Sequence, residues 1–391
     1  MENKNYNLIP ERIEIIKNMI KNNIDPIIDF QKNDNCVEYS VNTDDIRDLL
    51  PKKYIDFGKA IAELGGKLLY IKSGSTGHTF KGIHLNENNE CISDKQSYAV
   101  KIVAYPKKEN YGDMYNIKRP ENVELLIIKL LSYFVINKQT PHIVLPITTF
   151  NTSIKPFLSL TKSNIVNNKK FELFVDKYEK GEYYQNVSVL VSEWANGGDL
   201  LDYIRKNYKN FKVKEWKIIF FQIISVLAVI QAKYPAFRHN DMKANNILIH
   251  NINNDNDNKY MYKINNQIYT VPNIGFQIKL WDFDFACIDN IIENSKVDAE
   301  WTNKINISSA QNRYYDIHYF FNTLYRKGFF PEFLTAPEIP DKVKNFVRRI
   351  VPEKYATGKY VSERGRILIN DEYIIPDDII KNDPFFKSMR K

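Results

Sequence analysis

The strongest constraint on this chain is a change of sequence period at Gly197-Gly198. Before it lie short, β-branched and aromatic runs: KLLYIK (67–72), TFKGIHL (79–85), YAVKIVAY (98–105), IVLPITTF (143–150) and VSVLVSEW (187–194). Gly and Asn clusters separate them, as strands require. One helical segment interrupts them, at 121–135. After the glycine pair, DLLDYIRKNY and VKEWKIIFFQIISVLAVIQAKY place apolar residues at i, i+3, i+4 and i+7, the spacing of a buried helix face. Strands gathered first and helices gathered after predict an α+β chain: a small β-rich lobe with one main helix, then a larger, mainly helical lobe. Residues 1 to about 50 read as a helical extension, 51–195 as the small lobe and 196–391 as the large lobe, with the double glycine as hinge.

Composition narrows the class. With 13% aromatic and 26% charged residues, the chain has enough apolar surface to fold. Cys36, Cys91 and Cys287 are odd in number and widely spaced, which argues against a disulfide framework or a zinc site. The charged N-terminus lacks the apolar core of a secretory signal, and the apolar run 218–230 is too short to span a bilayer and contains Gln222. The net charge of +8 divides unevenly: residues 1–195 carry 26 basic and 24 acidic side chains (+2), and 196–391 carry 29 and 23 (+6). Arg205, Lys206, Lys209, Lys212, Lys214 and Lys217 concentrate the excess. This reads as a solvated face, or as a hint of acidic protein or membrane-surface docking; nucleic acid is not expected.

The chemistry concentrates in RHNDMKANNILIH (238–250), where His239, Asp241, Lys243 and Asn246 fit H-x-D-x-K-x-x-N. One loop then offers a carboxylate to deprotonate a hydroxyl, an ammonium to neutralise phosphate and an amide for a cation. Alone, it fits an ordinary polar turn equally well. KLWDFDFA (279–286) adds Asp282, a hard oxygen donor suited to magnesium. Lys101 in YAVKI can pair with phosphates, held by Glu124 on the following helix, with Glu121 as competitor. Gly74 and Gly77 in IKSGSTGHTFKG fit part of a phosphate-cradling G-x-G-x-x-G turn, although Lys72 fills the first glycine position and a plain hairpin would also account for them.

Taken in chain order, from the glycine hairpin through Lys101, Glu124 and the hinge to H-x-D-x-K-x-x-N and D-F over some 210 residues, these elements resemble the eukaryotic-type protein kinase family across about residues 65–386. The resemblance is closest to the serine/threonine kinases of large DNA viruses, of the poxvirus type. It is carried by D-F-D with Asp284 in place of Gly, the insertion between Ile247 and Leu280, and the YYDIHYFF block. It implies a bilobal protein-kinase fold, ATP and Mg²⁺ or Mn²⁺, and protein Ser/Thr substrates. By the same resemblance Asp241 is the catalytic base, Lys243 the phosphate lysine, Asn246 and Asp282 the metal ligands, and Lys101 with Glu124 the small-lobe ion pair. Ser192 becomes the gatekeeper, Glu193 and Ala195 the adenine-contacting backbone, Asp199 a ribose ligand, and His239 and Asp316 anchors of the catalytic loop. The viral likeness implies the host cytoplasm, with packaging in the virion or peripheral membrane association.

Three departures qualify this reading. Asn240 replaces the Arg of H-R-D, so the pocket there is expected to lack its central charge; no A-P-E follows Asp282; and Asp284 removes glycine's freedom or locks its segment in one state. A pseudokinase scaffold and a small-molecule phosphotransferase of kinase-like fold are the alternatives. The insertion, about 250–278, contains KYMYKINNQIYTVP (259–272), which predicts a hairpin about Asn265-Asn266, as surface decoration or docking element.

Overall fold

The computed structural model describes residues 8–20, 24–30, 43–74, 76–85, 96–160, 169–252 and 259–391. Cys36, Cys91 and most of the Asn-rich loops expected at 86–90, 164–170 and 251–258 lie outside these residues, whereas Lys169 and Lys170 are helical and Asn251 ends a strand. Two compact units form, one from Pro10–Ser132 with Leu145–Trp194, the other chiefly from Tyr133–Val144 with Ala195–Lys391.

The first unit contains most of α1 (Leu8–Met19), then α2 (Phe57–Leu64), β1 (Lys67–Ser73), β2 (Gly77–Ile83), β3 (Tyr98–Pro106), most of α3 (Pro120–Ile136), β4 (Pro146–Ser153), α4 (Lys169–Glu179) and β5 (Tyr183–Glu193). Among the described residues before 50, α1 and a single 3₁₀ turn, Ile46–Asp48, are helical. The five strands form one antiparallel sheet in the order β1-β2-β3-β5-β4. β3 and β5 are central and bury Val100, Ile102, Val189 and Val191, which explains why their sequences are nearly continuous apolar runs. α3 is apolar almost all round and buried accordingly.

In the second unit come α5 (Leu200–Asn207), α6 (Val213–Lys233), β6 (Phe237–Arg238), β7 (Ile247–Asn251), β8 (Lys259–Ile264), β9 (Gln267–Pro272), β10 (Phe276–Leu280), β11 (Cys287–Ile288), α7 (Glu300–Asn303), α8 (Tyr315–Leu324), α9 (Asp341–Ile350), α10 (Glu353–Ala356) and α11 (Pro376–Asn382). α6 is its axis, buried from Trp216 to Gln231 except for Lys217. The Glu215 carboxylate accepts the Lys212 N–H and closes the first turn of α6. Among the described residues, no helix is long and apolar enough to cross a membrane.

Two expectations need correction. Gly197 is no free pivot: its N–H donates to Ile249 O, and Gly198 O accepts from Ile249 N–H, which pins the glycine pair to β7. The division between units falls earlier, after Trp194. The insertion does form a β8–β9 hairpin, with Asn265 (φ 46°) and Asn266 (φ 70°) at a turn that requires positive φ. It is more than decoration, however. Its Tyr262 and Tyr269 rings each lie 5.3 Å from Phe221 of α6, and Tyr262 stacks on His142 at 5.6 Å, so the hairpin completes the core of this unit.

Candidate active site

In the first unit, the alternation of β3 puts Lys101 opposite Thr79 of β2 and Leu190 of β5. Its ammonium lies 2.6 Å from Glu124 Oε1 on α3. The competitor Glu121 is engaged elsewhere, by Arg119 at 3.1 Å. Arg119 is fully buried and also donates to Gly112 O and Pro106 O, so it fixes the entry to α3 and leaves Glu124 to meet the strand lysine. Close by is a residue that the sequence did not flag. Lys52 is buried, donates to Ser188 Oγ and faces Glu121 and Glu124; burial pulls its ammonium down to about 7 despite those carboxylates.

The glycine hairpin is mixed in meaning. Gly74 N–H donates to Gly77 O at 2.7 Å, which closes the turn. A Cβ on Gly77 would sit 1.7 Å from Ile102 O, so that glycine is demanded by the close approach of β3. Ser192 is buried and Glu193 ends β5. The Glu193 N–H donates to Leu145 O at 3.0 Å, and its carboxylate is gripped by the Arg12 guanidinium of α1 and by the Leu145 N–H. Arg12 is a second contributor that the sequence gave no reason to select.

In the second unit, β6 pairs with β11 and β7 pairs with β10. The loop from β6 to β7 carries 239–246, and the loop from β10 to β11 carries 281–286, so two ribbons bring the two motif loops together. The His239 imidazole Nε2 lies 3.0 Å from Trp281 O, and Asn240 Nδ2 donates to Phe285 O, which ties the loops to each other. Beneath them Asp316 of α8, fully buried, accepts the backbone N–H groups of His239 (2.8 Å) and Asn240 (2.9 Å). Burial raises the Asp316 carboxyl above the ordinary range, against the pull of His239 and those donors. Asn240 (φ 62°) and Asp282 (φ 67°) both adopt the left-handed conformation, uncommon for residues with a side chain and concentrated at functional sites.

Asp241 is the best-held group of the loop. Its Oδ2 accepts from Lys243 Nζ at 2.7 Å and from Asn246 Nδ2 at 2.9 Å. Its Oδ1 accepts from Arg366 Nη2 at 2.5 Å. Arg366 thus brings a guanidinium to the loop from another segment, against Asp241 and not at the Asn240 side chain, which donates to Phe285 O and Ser308 O. Asn246 also donates to Asp241 O, so its amide nitrogen is committed and its carbonyl oxygen is the atom turned outward for a cation. Asp199 serves as N-cap of α5, accepting the Asp202 N–H at 2.9 Å; that occupies one oxygen of the carboxylate expected to bind ribose. Ala195 opens this unit and is buried.

Past Asp282, Asp284 pairs with Lys296, whose ammonium also lies 3.6 Å from the Phe285 ring centroid. Asn294 Nδ2 donates to Asp284 O and Ala286 O. The aspartate that replaces glycine is thus a fastening point. Among the described residues, no group of three or more His, Cys, Asp or Glu could hold a metal by itself. Asn246 and Asp282 are nevertheless hard oxygen donors of the kind that share magnesium with phosphates, so the residues present fit that cation.

The family model described as poxvirus serine/threonine protein kinase matches residues 94–387. A protein of Acanthamoeba polyphaga mimivirus bearing the name "Putative serine/threonine-protein kinase" is 46% identical over 389 residues, 97% of this chain and 80% of its own length. A second mimivirus protein with that designation is 27% identical over 263 residues, 58% of this chain and 64% of its own. "Serine/threonine-protein kinase 2" of fowlpox virus is 24% identical over 282 residues, 69% of this chain and 57% of its own.

Proposed function

Because the chain belongs to the poxvirus serine/threonine protein kinase family, we propose that it transfers the γ-phosphoryl group of ATP to serine or threonine hydroxyls of proteins. The observation that carries this reading is the Asp241 carboxylate, held by Lys243, Asn246 and Arg366 in a loop hung from buried Asp316. A carboxylate oriented in this way aligns an incoming hydroxyl and takes its proton as the bond to phosphorus forms. Lys243 offers positive charge to the transferred group, and Lys101, steadied by Glu124, to the remaining phosphates. Asn246 and Asp282 would hold the divalent cation, which when bound neutralises phosphate charge. Gly74 and Gly77 supply backbone for the phosphates, and Glu193 and Ala195 backbone for the adenine. The paired Lys101 and the three donors on Asp241 favour transfer over a pseudokinase scaffold, which needs neither.

The acceptor is read as an acidic protein surface. Of the six basic residues flanking the start of α6, Arg205 donates to Phe329 O and Lys217 to Ser388 Oγ, whereas Lys206, Lys209, Lys212 and Lys214 are exposed. The deciding experiment is transfer of radiolabel from ATP to a degenerate Ser/Thr/Tyr peptide library. Asp241→Asn is expected to lower the rate by ~10²–10⁴-fold, and Asp282→Ala to abolish transfer, each without unfolding the chain. Full activity in either variant overturns the assignment. Transfer to small alcohols but not to peptides would redirect it to small-molecule phosphorylation.

A further inference from the structure

Asn240 stands where the kinase pattern has arginine, and its amide is committed to Phe285 O, Ser308 O and Cys287 Sγ. A guanidinium from far downstream instead meets the backbone and the carboxylate of the loop. Arg366 lies in the turn between Val361 and Ile367, closed by Ser362 N–H donating to Arg366 O and Arg366 N–H donating to Ser362 Oγ. Its side chain is 5% exposed and lies 3.9 Å from the Tyr319 ring centroid. Nη1 donates to the Asn240 carbonyl and, at 3.0 Å, to Tyr315 OH; Nη2 donates to Asp241 Oδ1. Burial opposes its charge, but Tyr315, Tyr319 and Asp241 outweigh that and shift the guanidinium up.

A cation that has to move aside for substrate would not be stacked, buried and bonded to three separate oxygens. Arg366 is built into the loop. An ionised carboxylate offers about four acceptor positions. Among the described residues, Lys243 and Asn246 fill two on Oδ2 of Asp241, and Arg366 fills one on Oδ1. One remains, on Oδ1, and its direction is set by where the guanidinium holds that oxygen.

We propose that Arg366 is a positioning residue for phosphoryl transfer: by gripping Asn240 O and Asp241 Oδ1 together, it fixes the rotation of the carboxylate so that its one remaining acceptor position meets the substrate hydroxyl. The inference rests on Asp241 being the base. It assigns part of the orientation of Asp241 to a segment 125 residues away.

Five variants test it by steady-state kinetics on a peptide substrate. Arg366→Ala should lower kcat by ~10²-fold with the KM for ATP within about twofold, since only alignment in the reacting complex is lost. Arg366→Lys should recover part of that, because it keeps the charge and loses the planar fork. The double variant Arg366→Ala/Asp241→Asn should be no slower than Asp241→Asn alone, within about threefold, because residues acting as a unit are not additive. Wild-type kcat in Arg366→Ala, or losses that multiply in the double variant, overturns the proposal. Should Arg366→Ala fail to fold, Tyr315→Phe removes one partner of Arg366 without touching Asp241. It should cost a few-fold in kcat at constant KM, and unchanged kcat in both Tyr315→Phe and Arg366→Lys overturns the proposal. An active Asp241→Asn sinks the base assignment and this inference with it, whereas an inactive Asp241→Asn beside a fully active Arg366→Ala sinks the inference alone.

Discussion

The two units fix their central charges differently. In the first, Lys101 and Glu124 meet from a strand and a helix, an ammonium and a carboxylate 2.6 Å apart. In the second, Asp241 is clasped on both oxygens by an ammonium, an amide and a guanidinium drawn from its own loop and a distant turn. Under the proposed function, the difference follows from what each group would do. A lysine that neutralises phosphate acts as a point charge, which is insensitive to rotation about its own axis. A base has to aim a lone pair, so its carboxylate needs rotational as well as positional restraint.

Substitutions can break that contrast, and the largest expected effect is at Lys101. Lys101→Met should cost ~10²–10³-fold in kcat/KM, the scale for removing one electrostatic partner of a reacting phosphate, measured by peptide phosphorylation. Glu124→Gln keeps the shape and removes the charge; a loss of about tenfold is expected, with binding of ATP weakened in the same assay. Glu121→Gln separates the two glutamates. It should leave kcat nearly unchanged and lower stability by ~1–3 kcal/mol, because it weakens the hold on buried Arg119, readable as a shift in urea midpoint. A near-normal Glu124→Gln beside an inactive Glu121→Gln would reverse the pairing assigned to Lys101.

A smaller effect belongs to Lys52. Its ammonium falls from 10.5 to about 7 on folding through burial, so between those values the unfolded chain binds more protons than the folded one. Stability should then rise with pH from about 7 to about 10.5, at no more than ~1.4 kcal/mol per pH unit from this group, and decline again as pH falls toward 7. Lys52→Met should flatten that slope, measured by denaturant unfolding at several pH values. An unaltered slope would show that Lys52 stays protonated throughout. The smallest effect is expected at Asp284→Asn. The pair with Lys296 is partly exposed, so stability should change by less than ~1 kcal/mol.

Much of this was legible in the sequence, for an identifiable reason. His239, Asp241, Lys243 and Asn246 sit within eight consecutive residues of one loop, so local spacing reports their chemistry. β3, β4, β5 and α6 were legible because burial on both faces writes continuous apolar runs. What escaped is what depends on long separations. Arg366 lies 125 residues from Asp241, Lys52 lies 136 from Ser188 and Arg12 lies 181 from Glu193. Nothing in a single sequence marks such partners as special. One signal did exist: an arginine missing from the loop predicts a cation supplied from elsewhere, although not its address. The hinge was misplaced because glycine suggests freedom, whereas Gly197 here is bonded to β7.

The grip of Arg12 on Glu193 bears on where this protein can be cut. The family match begins at residue 94, yet β1 and β2, the Lys52 ammonium and the Arg12 guanidinium all lie upstream of it. A fragment started at that boundary would leave β3 as a raw sheet edge, with its N–H and C=O groups open to any other chain. It would also leave the Glu193 carboxylate, at the end of β5, without its guanidinium. The stretch that the family model matches and the stretch that completes this sheet are different lengths of the polypeptide, and the second is the longer.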